Sequence, residues 1–410
     1  MRSTKSICAY PWTHLAASLG GDLIICCNTY GGGSINQDNG QPWTLTDVQD
    51  PLTYFNSSDY KKIRLEMLNG DEPEICKKCY DIERAGGWSN RQRTLDDCNI
   101  EELVSNTDTS TGELHELTLN SVHLQWGNKC NLKCKMCSPD ASDQLIDEFD
   151  AMGIPVSGQA RGTEFDWSFE ANREVLEKIA PHITMLNVTG GEPLINTEFL
   201  DYCKYLTTNG YSKNIGLAFH TNLTVLPGKF TDRWEDFKWV HVKLSIDATE
   251  QDYEYIRYPG KWNTILRNID GLIGIIDRLR TVSADVHTVF SSFNAHAIPN
   301  LIAHLATIDH PRFTNFPHTI WVTWPQYADA KCLPVEVKTQ ITTACLAAID
   351  QYPSNRSKRV ADNIATLVSN LTIMNEANQH PETFIQFNLK QDQYRSVKTE
   401  NVIKWFNSVP

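Results

Sequence analysis

The side chains best suited to chemistry are three cysteines within eight residues, Cys130-Asn-Leu-Lys-Cys134-Lys-Met-Cys137. The spacing C-x3-C-x2-C suits an iron–sulfur cluster that keeps one iron free of protein ligands. An open coordination position belongs to a reactive metal centre, whereas a structural site is closed. The element that must present these thiols is a strand. In residues 121–126, Val122, Leu124 and Trp126 alternate with polar residues and share one face. A helix-like segment follows from Asp140, which leaves the thiols on a loop just past a strand end.

A second set of thiols precedes this loop. Cys8, Cys26 and Cys27 are followed by Cys76-Lys-Lys-Cys79 and by Cys98. Cys8…Gly21-x4-Cys26 is a spaced unit. Cys76-x2-Cys79 is a tight chelating pair after the turn Asn69-Gly70-Asp71-Glu72-Pro73. Four thiolates from two separated pieces suit one iron–sulfur cluster or one structural Zn²⁺. Cys26 and Cys27 compete for one place, and Cys98 is a spare. The run Gly31–Gly33 reads as a flexible loop, because no Lys-Ser/Thr follows it as a phosphate loop requires.

Polar, turn-rich residues 101–117 read as a linker. Beyond them strands are expected at 121–126, 184–188, 215–222, 240–246, 282–290 and 319–323. The helix expected at 263–277 carries Ile265, Ile269, Leu272, Ile273 and Ile276 as one apolar stripe. Six strands alternating with helical or connecting segments predict an α/β fold with right-handed crossovers, a partial (β/α)6 TIM-like barrel. The expected division is a small Cys-rich N-terminal domain (1–100), the linker (101–117), the barrel (118–330) and a C-terminal helical extension (331–410). In that extension Val360, Ile364, Leu367, Val368 and Leu371 form a docking stripe with no evident chemistry.

The candidate residues Cys130, Gly190, Gly191, Glu192, Asn222, Ser245 and Asp247 fall at expected C-terminal strand ends, the rim that carries barrel active sites. Alone, Gly190-Gly191-Glu192-Pro193 reads as a turn, and Ser245-Ile-Asp247 as a strand end with a helix cap. Their order on successive strands favours a site. Cys203 and Cys345 read as core thiols, and Cys332 has no assignment. His123 and His220 read as satisfied core histidines, the alternative being that they line the barrel. The insertion at about 152–169 is a lid or a surface loop.

The chain has 410 residues, 41% of them hydrophobic, which is enough for a large core. A net charge of −13 excludes a general nucleic-acid grip and disfavours anionic membranes. No apolar run approaches the roughly 20 residues that span a bilayer, and no signal-peptide core is intact. The expectation is a cytoplasmic protein, in which twelve cysteines point to metal and not to disulfides.

Taken together, Cys130-x3-Cys134-x2-Cys137, Thr189-Gly-Gly-Glu-Pro193, His220-Thr-Asn222, Ser245-Ile-Asp247-Ala and Tyr253-Glu-Tyr-Ile-Arg257-Tyr-Pro-Gly260-Lys-Trp262 resemble the radical S-adenosylmethionine (SAM) superfamily. The resemblance covers residues 120 to about 325. The N-terminal thiols Cys8, Cys26, Cys76 and Cys79 are similar to those of SPASM or twitch auxiliary-cluster extensions, which in most members follow the barrel and do not precede it.

The resemblance implies a [4Fe–4S] cluster on Cys130, Cys134 and Cys137 whose fourth iron binds SAM. It also implies contacts to SAM from Gly190, Gly191 and Glu192 at the amino group, and from Ser245 and Asp247 near the ribose or methionine. Asn222 and Arg257 are further contacts. Met136 replaces the frequent aromatic residue before the third cysteine and offers a polarisable surface for adenine. The implied reaction is reductive cleavage of SAM to a 5′-deoxyadenosyl radical that abstracts hydrogen from substrate. A peptide or protein side chain is the first expectation for that substrate and a small molecule the second. A non-catalytic Fe–S or zinc protein is a third reading. Lys129, Lys133 and Lys135 read as a solvated face around the cluster loop; the alternative is a docking patch for an electron donor such as flavodoxin or ferredoxin.

Overall fold

The computed structural model describes residues 6–29, 33–84, 89–95, 98–353, 357–376, 381–395, 398–403 and 406; Gly31 and Gly32 of the glycine run lie outside them. Eight strands form one sheet among the described residues: β1 (His14–Ala17), β2 (Leu23–Ile24), β3 (Ser121–Gln125), β4 (Met185–Thr189), β5 (Gly216–Thr221), β6 (Trp239–Ser245), β7 (Val282–Phe290) and β8 (Phe313–Trp321). Their order is β2-β1-β3-β4-β5-β6-β7-β8. All neighbours are parallel except the β1–β2 pair. The fold is thus the expected α/β partial barrel, with the six expected strands side by side in chain order.

Two differences have plain causes. Strand β1 pairs in parallel with β3, His14 opposite Ser121, so the Cys-rich region is continuous with the barrel sheet and does not stand apart from it. His-Leu-Ala-Ala is four residues, buried throughout, and carries no alternation to mark it as a strand. Strand β8 begins at Phe313, earlier than residue 319, and contains Pro317. Proline cannot donate to a ladder, and β8 tolerates it as the edge strand.

The main helices are α1 (Ser58–Asn69), α2 (Lys77–Arg84), α3 (Ile146–Ala151), α4 (Arg173–Ile179), α5 (Thr197–Thr208), α6 (Glu250–Ile256), α7 (Trp262–Arg278), α8 (Ile298–Leu305), α9 (Val335–Gln351), α10 (Lys358–Glu376) and α11 (Glu382–Arg395). Helix α7 buries Ile265, Ile269, Leu272 and Ile276, each worth about 1.5–3 kcal/mol relative to exposure. These residues share one core with Val122, Leu124, Leu186, Val188, Val240 and Leu244 of the strands. The apolar face of every central strand is therefore spent on the helices. The alternate, polar positions are left to line the barrel interior.

Helix α10 covers the edge of β8, with Asn363 Nδ2 donating to the Phe316 carbonyl at 3.0 Å and Asn370 Nδ2 to Thr319 Oγ1 at 2.9 Å. No helix among the described residues is long and apolar enough to cross a membrane.

Candidate active site

The three-cysteine loop leaves the C-terminal end of β3 and is pinned by main chain. The amides of Lys133 and Lys135 donate to the carbonyls of Tyr258 (2.6 Å) and Ile256 (2.8 Å), and Glu192 N donates to Lys129 O (2.8 Å). Asp143 Oδ1 accepts from Cys130 N at 3.1 Å, and Ser142 Oγ donates to the Leu132 carbonyl at 2.6 Å. Cys134 and Met136 are buried, while Cys130 and Cys137 are half-buried. Burial pushes the Cys130 thiol up to about 12, so a thiolate there needs a cationic partner, which iron supplies.

The glycines are required by the loop itself. Gly190 and Gly191 have φ of +89° and +47°. A Cβ on Gly190 would meet the Gly127 carbonyl at 2.3 Å, and one on Gly191 the Lys129 carbonyl at 2.1 Å. The close approach these residues permit is between their own backbone and the start of the cluster loop. Glu192 was expected at the SAM amino group. Among the described residues its carboxylate binds the loops: Oε1 accepts from Thr221 Oγ1 (2.7 Å) and Leu194 N (3.0 Å), and Oε2 from Asn222 N (2.6 Å). Glu192 thereby ties the β4 loop to the end of β5. Asn222 continues the link, its Nδ2 lying 3.0 Å from Asn131 Oδ1 and 3.9 Å from Cys130 Sγ.

Asp247 was likewise expected near the ribose or methionine end of SAM, and it is fully buried. Its Oδ2 accepts from Arg257 Nε at 2.7 Å and its Oδ1 from Val289 N at 3.0 Å. Arg257 also directs Nη1 at Cys134 Sγ, 3.9 Å away. Burial opposes the guanidinium charge, but Asp247 and the neighbouring thiol groups hold it in place. Ser245 stands on the inward face of β6, in register with His287 of β7.

Lys135 corrects the solvated-face reading. It is 1% exposed. Its Nζ donates to Asn388 Oδ1 of α11 at 3.0 Å, lies 3.7 Å from Asp392 and sits 4.4 Å from the Tyr255 ring centre. Helix α11 is fastened again by Glu148 of α3, which accepts from Gln391 Nε2 (2.6 Å) and Arg395 Nε (3.0 Å). The insertion at 152–169 is also tied down: Trp167 Nε1 donates to Leu19 O at 2.6 Å, and Asn128 Nδ2 to Ala160 O at 2.7 Å. Gly21, with φ of +78°, admits the Phe165 ring where a Cβ would lie 2.1 Å from it.

Cys8, Cys26, Cys76 and Cys79 line one cavity together with Tyr10 and Arg91. Cys27 faces a different space, the barrel lumen, and Cys98 lines neither. Among the described residues no three His, Cys, Asp or Glu side chains converge as a single metal ion requires. Four thiols lining one cavity suit an iron–sulfur cluster or a structural zinc. Cys8 precedes β1, and Cys26 follows the antiparallel β2. The cavity therefore lies toward the N-terminal ends of the parallel strands, opposite the three-cysteine loop.

Of the lumen the sequence reading named only His123 and His220, and there as the second reading beside a core role. His123, Asn187, His220, His241, Lys243 and Ser283 all line it. His287 and His318 stand in the same row, ring centres 5.0 Å apart. Asp285 accepts from His287 Nε2 (3.3 Å) and pairs with His241 (3.0 Å) and with Arg359 of α10. The signal was present: these residues occupy the polar alternate positions of strands whose apolar positions had been read.

A parallel partial barrel with three clustered thiols at its C-terminal rim defines an α/β iron–sulfur protein. Residues 124–305 match the family model of the Radical SAM superfamily, so this stretch of the chain is a radical SAM domain. A [4Fe–4S] cluster and SAM are the cofactors of that domain. No curated protein matches the chain. Among solved structures it is similar to Streptococcus suis SuiB (TM-score 0.40, 12% identity, 87% of this chain and 70% of that one). It is also similar to anSMEcpe with bound AdoMet (0.36, 15%, 56% and 59%). A third is the methyltransferase TsrM from Kitasatospora setae with tryptophan substrate and a SAM analogue (0.33, 13%, 46% and 33%). The match thus spans about three fifths of the anSMEcpe chain.

Proposed function

We propose that this protein is a radical SAM enzyme that abstracts hydrogen from a peptide or protein side chain, with Cys130, Cys134 and Cys137 holding the [4Fe–4S] cluster. The observation that carries the reading is the cluster loop itself, with three thiols at the barrel rim, its backbone fixed from two sides and Arg257 behind Cys134. When bound, the cluster and SAM supply reductive cleavage of the sulfonium to a 5′-deoxyadenosyl radical.

The chain's own residues orient and enclose. The Gly190 and Gly191 main chain, Ser245 and the Met136 thioether are the SAM-facing groups. Glu192, Asn222, Asp247 and Arg257 act from behind, as positioning residues that fix the loops carrying those groups. The lumen below receives substrate and keeps water from the radical. Cys8, Cys26, Cys76 and Cys79 hold an auxiliary iron–sulfur cluster at the far end of the barrel. A structural zinc is the alternative for the same four thiolates. The electron donor is a small reductant protein such as flavodoxin or ferredoxin. Lys129, which is exposed, and the half-buried Lys133 are the loop lysines left for docking it.

Electron paramagnetic resonance of the reduced protein tests the cluster assignment. The signal of the reduced cluster should change shape on adding SAM, and the change should vanish in a Cys130→Ala, Cys134→Ala, Cys137→Ala variant. A SAM-dependent change that survives the triple substitution would place the SAM-binding cluster elsewhere. Small-molecule substrates are the second reading, and a lumen of about 570 Å³ accommodates a small molecule or a single side chain.

A further inference from the structure

We propose that Lys243 is an anchor in the barrel lumen for a carboxylate of the substrate, an inference that rests on the radical SAM function above. The lumen is a cavity of about 570 Å³, within the roughly 300–1,000 Å³ range of ligand pockets. It runs from Thr189, just below the Gly190–Gly191 loop, down to Cys27. Tyr10 and Asn90 line both the lumen and the four-thiol cavity. A substrate held here lies between the two sets of thiols.

The charges of the lumen are accounted for, apart from one. Burial lowers His14 to about 3 and His123 to about 4, and lowers His220 well below its usual value, so these imidazoles are neutral hydrogen-bonding groups near pH 7. Arg359 is engaged by Asp285 and by His241, the latter at 3.2 Å. Asp285 is already shared among Arg359, His241 and His287. No Asp or Glu is among the residues lining the cavity.

Lys243 sits in mid-lumen on β6, in register with His220 of β5 and Asp285 of β7. Among the described residues no hydrogen bond or ion pair engages its amine; burial lowers its pKa, Asp285 and Cys27 oppose that shift, and Arg359 adds to it. A largely buried ammonium without a partner is costly, and an anion entering the lumen removes that cost. One ammonium among neutral donors matches a singly charged carboxylate. Phosphate recognition gathers guanidinium forks or helix N-termini, and the one guanidinium here is already paired.

The test uses the full-length, cluster-loaded protein under anaerobic conditions, with binding read by thermal shift and glutarate as the probe. Glutarate should raise the melting temperature saturably, while neutral glutaramide should not. Lys243→Met should weaken glutarate binding about tenfold or more, the loss expected for a charge-assisted hydrogen bond. Lys243→Arg should restore most of it, and Lys243→Gln provides a second neutral variant should the first fail to fold. A capped Ala-Glu-Ala peptide binding more tightly than glutarate would assign the carboxylate to a peptide side chain, and the reverse to a free acid; both outcomes support the anchor.

Equal binding by wild type and Lys243→Met would overturn it, as would equal binding of glutaramide or tighter binding of inorganic phosphate. Absence of any glutarate binding would overturn it too. Binding is read without turnover, so a failure here leaves the SAM-cleavage test of the underlying function intact.

Discussion

Asp247 and Arg257 form a buried ion pair directly behind Cys134, with side chains 0% and 9% exposed. Removing one member strands the other charge in the core, which costs about 3–5 kcal/mol. Arg257→Met should therefore destabilise the protein by about that much in chemical denaturation, and Asp247→Asn/Arg257→Met together should cost clearly less than the sum. Additive losses would mean the pair is not coupled. Asp247 was legible in the sequence as a member of a strand-end series, and Arg257 only through the superfamily resemblance. Their inward orientation was not, because it depends on Val289 and Cys134, which lie far away in the chain. Lys135 teaches the same lesson. Its neighbours in sequence suggested a solvated lysine cluster, but its partner Asn388 is 253 positions away.

At the scale of elements, period-two alternation located β3 to β7 well, because each strand must bury one face against helices. What the other face does depends on register between strands, and no single strand carries that information. The row of imidazoles became visible only when the strands were set side by side. It has a consequence for pH. His14, His123 and His318 are lowered by burial to about 3, 4 and 4, and His220 also falls. The unfolded chain takes up protons on these groups near pH 6.5, while the folded chain resists. Their stabilisation is thus full above about pH 6.5 and is lost as pH falls toward 4, with a slope of roughly 1.4 kcal/mol per pH unit for each group in that window. Urea unfolding at pH 7, 6 and 5 should show this fall, and His123→Asn/His220→Asn should flatten it. Identical slopes in the variant and the wild type would contradict a neutral, buried lumen. Strand β1 and the early start of β8 escaped the sequence reading because one is too short to alternate and the other contains a proline.

For the whole molecule, the barrel separates two sets of thiols, the three-cysteine loop at the C-terminal rim and Cys8, Cys26, Cys76 and Cys79 at the opposite end. If both hold four-iron clusters, reconstituted protein should contain about eight irons per chain, and Cys76→Ala/Cys79→Ala about four. Four irons in both proteins would contradict the auxiliary cluster. Cysteine spacing made both sets legible. That strand β1 carries the N-terminal set into the same sheet was not legible, because only tertiary pairing reveals it.

The central claim is that the three-cysteine loop supports reductive cleavage of SAM, and product analysis tests it most directly. Reduced, reconstituted protein incubated with SAM should release 5′-deoxyadenosine and methionine. The Cys130→Ala, Cys134→Ala, Cys137→Ala variant should release none. A wild-type protein with its full iron complement that yields no 5′-deoxyadenosine with any reductant would contradict the account.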